Sequence, residues 1–338
     1  MRASTLFSLL RSGGLGAVYS AQKLIASFER CVFLGSASSA HLLRRLAKGP
    51  VEFKALAAEL CADASMHDAL RDWLEVGVGL GDLSRDGELY SLGSRLARTL
   101  ADPDSDALAA FLEEAASLHH RLLWEGPRRM KEGRPLALSD QDGAVIAGSS
   151  RLLEPFVGDE VDAFVPGQGA LRLLEIGCGT GVHVRRALSR NPALSVTALE
   201  LQPEVAELAR RNLAQWGLAE RAQVQVGDVR ARQPEPAYDL ATLHNNIYYF
   251  PVAQRVSLLR HVSGFLRPGG RLLLTTGCRG GGAAMSVLSL WGALTEGAGR
   301  LPGVEELESQ LRDAGFARAT SKQLMPGEAF YAFMAERS

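Results

Sequence analysis

Two stretches and two separate acids in this 338-residue chain have the types and spacing to do chemistry. The first stretch is "EIGCGTG", Glu175 to Gly181. Glycines at 177, 179 and 181 remove side chains where the chain turns sharply, so backbone can approach a ligand and a helix N-terminus can point at it. No Gly-Lys-Ser/Thr follows, so this is not a Walker phosphate loop. Glu200, with Leu201 beside it, ends a predicted strand, where a carboxylate can accept both hydroxyls of a ribose. Asp228, followed by Val229 in "VGDVR", ends another, where a carboxylate can accept an amino group from adenine. Glu175 heads the glycine turn and can meet a cationic amino group or position the loop. Acid, glycine turn, acid, acid is a good cradle for a cationic amino-acid nucleoside and a poor one for a pyrophosphate.

The second stretch is "LHNNIYYF", Leu243 to Phe250. A chain leaving a sheet has no structural need for a histidine and two amides in a row. Asn245 and Asn246 can donate and accept, which suits a carbonyl, carboxylate or enol acceptor, and one of them is expected to serve an Asx turn. Tyr249 and its aromatic neighbours either wall a pocket or pack under the next helix. Two further segments are candidates to close the acceptor side. "SLHHRLLWEGPRRM" brings His120, Trp124 and Arg128, the last able to clamp a carboxylate. "MSVLSLWGALTEG" brings Met285 and Trp291.

The elements that must position these residues follow from periodicity. Residues 20–135 are mostly helical in pattern, with apolar residues at three-to-four spacing. Within them "DLSRDGELYSL" predicts a hairpin about Asp86-Gly87, which gives a winged-helix arrangement. From Leu171 strand and helix alternate: "LRLLEIG", "SVTALEL", "AQVQVGD", "YDLATLH" and "RLLLTTG" read as strands, "EAFYAFMAE" as a last one. Alternation of this kind predicts an α/β fold, a Rossmann-like parallel sheet with helices on both faces. Ligands in such sheets bind past the carboxyl ends of the strands, near the switch in strand order. Three regions result: a helical, winged-helix domain over 1–135, a linker with one embedded helix over 136–165, and a cofactor-binding domain over 166–338.

Composition excludes other classes. Hydrophobic content of 46% and charged content of 22% describe an ordinary globular chain. A net charge of −1 gives no general attraction to nucleic acid or anionic membrane, and the expected partner is a small molecule. No apolar run is long enough to span a membrane, and the N-terminal twenty residues do not read as a signal peptide. Cys31, Cys61, Cys178 and Cys278 are scattered without a CxxC pair, so no metal site is expected and a reducing cytoplasm fits.

"LLEIGCGTG", Glu200 and "GDV" resemble the class I S-adenosylmethionine-dependent methyltransferases over about residues 165–338, and the N-terminal region resembles that of the small-molecule O-methyltransferases. The resemblance implies a seven-stranded sheet with an antiparallel last strand, S-adenosylmethionine as cofactor, and a homodimer through the N-terminal domain. It implies that Gly177, Gly179 and Gly181 line the methionine moiety, that Glu200 holds the ribose, and that Asp228 with Val229 holds the adenine. His244 would sit beside the sulfonium methyl as general base on an acceptor oxygen, with Asn245 orienting the acceptor. An acidic residue usually follows this histidine in the family; here Asn245 stands in its place. Glu296 or Glu328 could supply the missing carboxylate, which the sequence does not decide. Two alternatives stand beside O-methylation: C-methylation of an enolisable acceptor, such as a 2-oxo acid, with a metal held by His244 and Glu296, and an inactive scaffold that keeps the fold.

Overall fold

The computed structural model describes residues 14–338. The first residues of the expected N-terminal domain, and most of the stretch read for a signal peptide, lie outside them. Contacts divide the chain into two units: one runs to Arg121 and takes in Gln141–Leu152, the other joins Leu122–Asp140 to Leu153–Ser338.

In the first unit, helices α1 (Gly14–Ser39), α2 (Leu42–Ala47), α3 (Phe53–Leu60) and α4 (His67–Gly79) precede the hairpin of β2 (Leu83–Asp86) and β3 (Leu89–Leu92). A two-residue strand, β1 (Val51–Glu52), adds to β3. The Asp86-Gly87 signal places this turn as expected, with Gly87 at φ 60°. Leu34, Leu43, Leu56, Leu74 and Tyr90 form one core. Asp82, fully buried, holds the hairpin to α1. Its carboxylate accepts from Arg30 Nε at 2.8 Å and Nη2 at 2.7 Å, and from Ser94 Oγ at 2.5 Å. Helices α5 (Arg95–Leu100) and α6 (Asp106–Glu114) follow, then a π-helical turn over Ala115–His119 that leads into α7 (His120–Glu132).

The stretch expected as a linker, 136–165, holds two helices instead. α8 (Gly143–Ser150) is capped by the Asp142 carboxylate and belongs to the first unit; α9 (Glu154–Phe164) belongs to the second. Val157, Val161 and Phe164 of α9 fall on one face at helical spacing and are buried against the sheet, so this segment is part of a core.

The second unit is the expected α/β sheet. Strands β4 (Arg172–Ile176), β5 (Ser195–Glu200), β6 (Ala222–Val226), β7 (Tyr238–His244), β8 (Leu266–Gly277), β9 (Phe316–Gln323) and β10 (Phe330–Arg337) lie in the order β6-β5-β4-β7-β8-β10-β9. The first five are parallel and β10 is antiparallel to its neighbours. Successive residues feed opposite cores: Leu173 packs with α9, α10 (Val182–Arg190) and α11 (Pro203–Gln215), while Leu174 and Ile176 pack with α12 (Arg255–Phe265) and α14 (Val304–Asp313). Between β8 and α14 runs α13 (Ala283–Leu294). Strand β9 escaped the sequence reading. It is an edge strand whose side chains are mostly exposed, so "FARATSKQ" carries no apolar alternation. The turn in strand order falls between β4 and β7, which places the carboxyl ends of these two strands at the centre of the site.

Removing the buried carboxylate of Asp82 leaves Arg30 and Ser94 without their acceptor. Asp82→Ala is expected to destabilise the N-terminal unit by about 3 kcal/mol, read as a lower urea midpoint for that unit's unfolding. An unchanged midpoint would show that the pair is dispensable.

Candidate functional site

The glycine turn is built by its neighbours. Backbone N–H groups of Gly177 and Cys178 both donate to Leu199 O, at 2.8 and 2.9 Å. Gly177 has φ +72°, and a Cβ there would lie 2.5 Å from Asn246 Nδ2, so only glycine fits. Above Gly179 there is open space. Glu200, at the end of β5, receives the N–H of Gly179 at 3.0 Å on one oxygen and that of Gln202 at 3.1 Å on the other. Each oxygen keeps a lone pair for a hydroxyl. Leu201 beside it is exposed.

Glu175 is 1% exposed. Thr242, directly opposite it on β7, donates its hydroxyl to one carboxylate oxygen. The other oxygen, Oε1, is buried with no partner. Burial pushes this carboxyl up to about 7, against the lowering effect of the Thr242 hydroxyl. A buried carboxylate with an empty acceptor position is set up for a cation.

Asp228 follows β6. Arg230 donates Nε and Nη2 to it and holds its carboxyl below the ordinary range, while the Arg230 N–H caps it at 2.9 Å. Any further donor therefore shares this carboxylate with an arginine. Val229 is buried, and its carbonyl lies 2.9 Å from His261 Nε2.

His244 ends β7 and is 6% exposed. Its register partner on β8 is Thr275, whose hydroxyl lies 2.9 Å from Nδ1. Nε2 is buried without a partner. The expected replacement carboxylate is absent: Glu328 accepts from the Gly282 N–H at 3.0 Å, and Glu296 is exposed. Beside His244 lies His183 instead, in the first turn of α10, with ring centroids 4.8 Å apart. Burial, and then His183, keep His244 well below the ordinary imidazole range.

The two asparagines divide their work. Asn245 has φ +52°, a conformation asparagine tolerates better than most side chains, and its N–H donates to Thr275 O at 2.7 Å. Asn246 donates Nδ2 to Ile176 O at 2.7 Å and so ties the end of β7 to the glycine turn, while its Oδ1 is buried and unpartnered. Three buried polar atoms without partners stand at or just past the strand ends, Glu175 Oε1, His244 Nε2 and Asn246 Oδ1, and His183 Nδ1 in α10 is a fourth.

Tyr249 stacks on Tyr248 at 5.1 Å and meets the edge of buried Trp291 at 5.3 Å. Met285 packs its sulfur against Gly277 at the end of β8. In the segment read as a lid, Trp124 is 79% exposed and Arg128 is exposed. His120 packs against Phe28, with centroids 5.4 Å apart. His183, Thr242 and Thr275 were not singled out from sequence; the spacing of His183 two residues after Gly181 was the available signal. Among the described residues, no cluster of three or more His, Cys, Asp or Glu is placed to hold a metal, and no helix is long and apolar enough to cross a membrane.

A parallel sheet with a glycine turn and acids at three successive strand ends defines a nucleoside-cofactor-binding α/β domain. Residues 174–272 match the methyltransferase domain family, so this segment carries a methyltransferase domain. Demethylspheroidene O-methyltransferase of Rhodobacter capsulatus is 26% identical over 236 residues, covering 68% of this chain and 55% of that protein. The chain spans about half the length of the curated relatives it matches. The fold is that of the mitomycin 7-O-methyltransferase, with a TM-score of 0.79 at 20% identity over 97% of this chain and all of that one. It is also that of human N-acetylserotonin methyltransferase in complex with S-adenosylmethionine, with a TM-score of 0.73 at 20% identity over 95% and 98%.

The cradle fits that cofactor: Glu175 Oε1 is free for the ammonium group, the space above Gly179 admits the chain, and the Glu200 oxygens can accept the ribose hydroxyls. Cofactor affinity should therefore fall as pH drops through about 7, because the protonated Glu175 must release its proton before it can pair with a cation. Glu175→Gln should weaken binding by about 10-fold or more and flatten this pH dependence in calorimetric titrations. A pH-dependent wild-type affinity that Glu175→Gln leaves intact would assign the effect to another group.

Proposed function

We propose that this protein transfers a methyl group from S-adenosylmethionine to an oxygen of a small molecule, with His244 as the base. The observation that carries the reading is His244 Nε2, buried and unpartnered at the strand end beside the cofactor cradle. Bound S-adenosylmethionine supplies an electrophilic methyl on a sulfonium. An alcohol or phenol is a weak nucleophile until its proton leaves, and neutral His244 can take that proton at Nε2. Thr275 fixes the ring through Nδ1. Asn245 acts through the backbone, turning the chain sharply after His244 so that Asn246 reaches the glycine turn. Tyr249, Met285 and Trp291 are assigned to the acceptor-side wall. The names of several relatives as O-methyltransferases support oxygen over carbon as the acceptor.

His244→Ala is expected to cost about 10²–10⁴-fold in turnover with cofactor affinity retained, measured with S-adenosylmethionine and catechol as the acceptor probe. A variant as fast as the wild type would remove His244 from the chemistry.

We also assign a homodimer interface to α1. Val18, Tyr19, Leu24, Ile25 and Phe28 leave apolar side chains 47–73% exposed along it, more than a solvated helix face carries. The cysteines are all unpaired, which suits the reducing cytoplasm we assign. Light scattering should give twice the chain mass, and Leu24→Glu with Ile25→Glu should halve it. A wild-type monomer would contradict the assignment.

A further inference from the structure

His183 has no role in the cofactor cradle, yet it is the nearest charged-capable neighbour of the proposed base. Its ring centroid lies 4.8 Å from that of His244, with the planes tilted by 58°. His183 Nδ1 and His244 Nε2 are both buried and both lack a hydrogen-bond partner. Two imidazoles so close, each with an unsatisfied nitrogen, do not form a packing pair chosen for its apolar character. An aliphatic or phenyl side chain at 183 would fill the same space without an orphaned polar atom.

We propose that His183 is the positioning residue of His244: a second imidazole packed against its ring that disfavours a charged His244 and so keeps Nε2 open to accept a hydroxyl proton. The inference rests on the reading of His244 as base. Position 245, where an acid would stabilise an imidazolium, is occupied by an asparagine whose N–H bonds to backbone. On Nδ1 the partner is the neutral Thr275 hydroxyl. Nothing beside the ring therefore favours its protonation, and His183 opposes it, since two like charges at this distance in a desolvated site repel strongly. The two rings titrate as interacting sites, charge on one disfavouring charge on the other.

The groups around the pair are few. His183 is the one titratable group that acts on His244, and burial alone acts on His183, lowering it to about 4. Glu175, on the adjoining strand, is turned to Thr242. Before reaction both rings are neutral, so neither repels a cationic sulfonium nearby. In the transfer the acceptor O–H bond breaks and its proton goes to His244 Nε2. The oxygen takes the methyl, and the electron pair of the carbon–sulfur bond stays on sulfur. The His244 ring then carries the positive charge that the sulfonium held before, and total charge in the pocket stays constant.

The test reads the ring nitrogens of the full-length protein by ¹⁵N NMR as pH is lowered, in wild type and in His183→Phe. The His244 midpoint should rise by roughly one pH unit when the second imidazole is removed. The sign follows from the lost repulsion: without His183 the His244 imidazolium is easier to form. A folded variant whose His244 midpoint stays put or falls overturns the proposal. If His183→Phe does not fold, His244→Gln supplies the reciprocal measurement, and the His183 midpoint should rise instead; no rise overturns the proposal equally. With catechol and S-adenosylmethionine, His183→Gln should move the acid limb of turnover to higher pH with cofactor affinity unchanged. A wild type that fails to methylate catechol or other hydroxyl probes would count against the oxygen-methylation reading, while the NMR midpoints still decide the pair.

Discussion

The site depends on the parallel register of β4, β7 and β8. It sets Thr242 opposite Glu175 and Thr275 opposite His244. A carboxyl and an imidazole are thereby brought to buried strand ends, each with one polar atom bonded to a threonine hydroxyl and one left free. Without these hydroxyls both groups would be fully unsatisfied at a large desolvation cost. With them, each is half-satisfied, and one polar atom of each stays buried without a partner at the strand ends. A one-residue slip of β7 would turn His244 to the other face of the sheet and separate both pairs.

The glycine turn is held in place from outside itself. Leu199 O gathers two of its N–H groups, Glu200 a third, and Asn246 ties Ile176 O to the loop after β7. Glu200 is therefore both a ligand candidate and a brace, and its loss would act on cofactor binding by two routes. This preorganisation matters because methyl transfer requires the acceptor in line with a carbon–sulfur bond, so positioning supplies much of the rate. The Asp228 carboxylate works under a different constraint, already neutralised by Arg230. A ligand amino group must there compete with a guanidinium.

The alternatives raised by the residue pattern differ in how the geometry treats them. A metal held by His244 and Glu296 would need the glutamate at the strand end, and it stands exposed. His261, the other downstream imidazole, is occupied at Val229 O. An inactive scaffold would have no use for an intact glycine turn with Glu175 Oε1 buried and unpartnered beside it. Of the residues proposed for the acceptor side, Tyr249 and Trp291 form one aromatic cluster with Tyr248.

Much of this was legible in the residues alone. The α/β alternation, the glycine turn, Glu200, Asp228 and the strand-end His244 could be read because each follows a local rule: period-two or apolar strands, glycine where φ is positive, an acid where a strand stops. Strand β9 was not legible, since an edge strand with one buried face end carries no apolar alternation. The second helix of the segment read as a linker with one embedded helix was not legible, because α9 buries its apolar face against a sheet that begins later in the chain. The roles of Asn245 and Asn246 needed the backbone dihedral and a bond to Ile176, seventy residues away. The partner of His244 was invisible for the same reason. Sequence determines which side chains stand at strand ends. Whether a histidine meets a carboxylate, a hydroxyl or a second imidazole is decided by the register between strands and the helix packed beside them, which only tertiary structure sets.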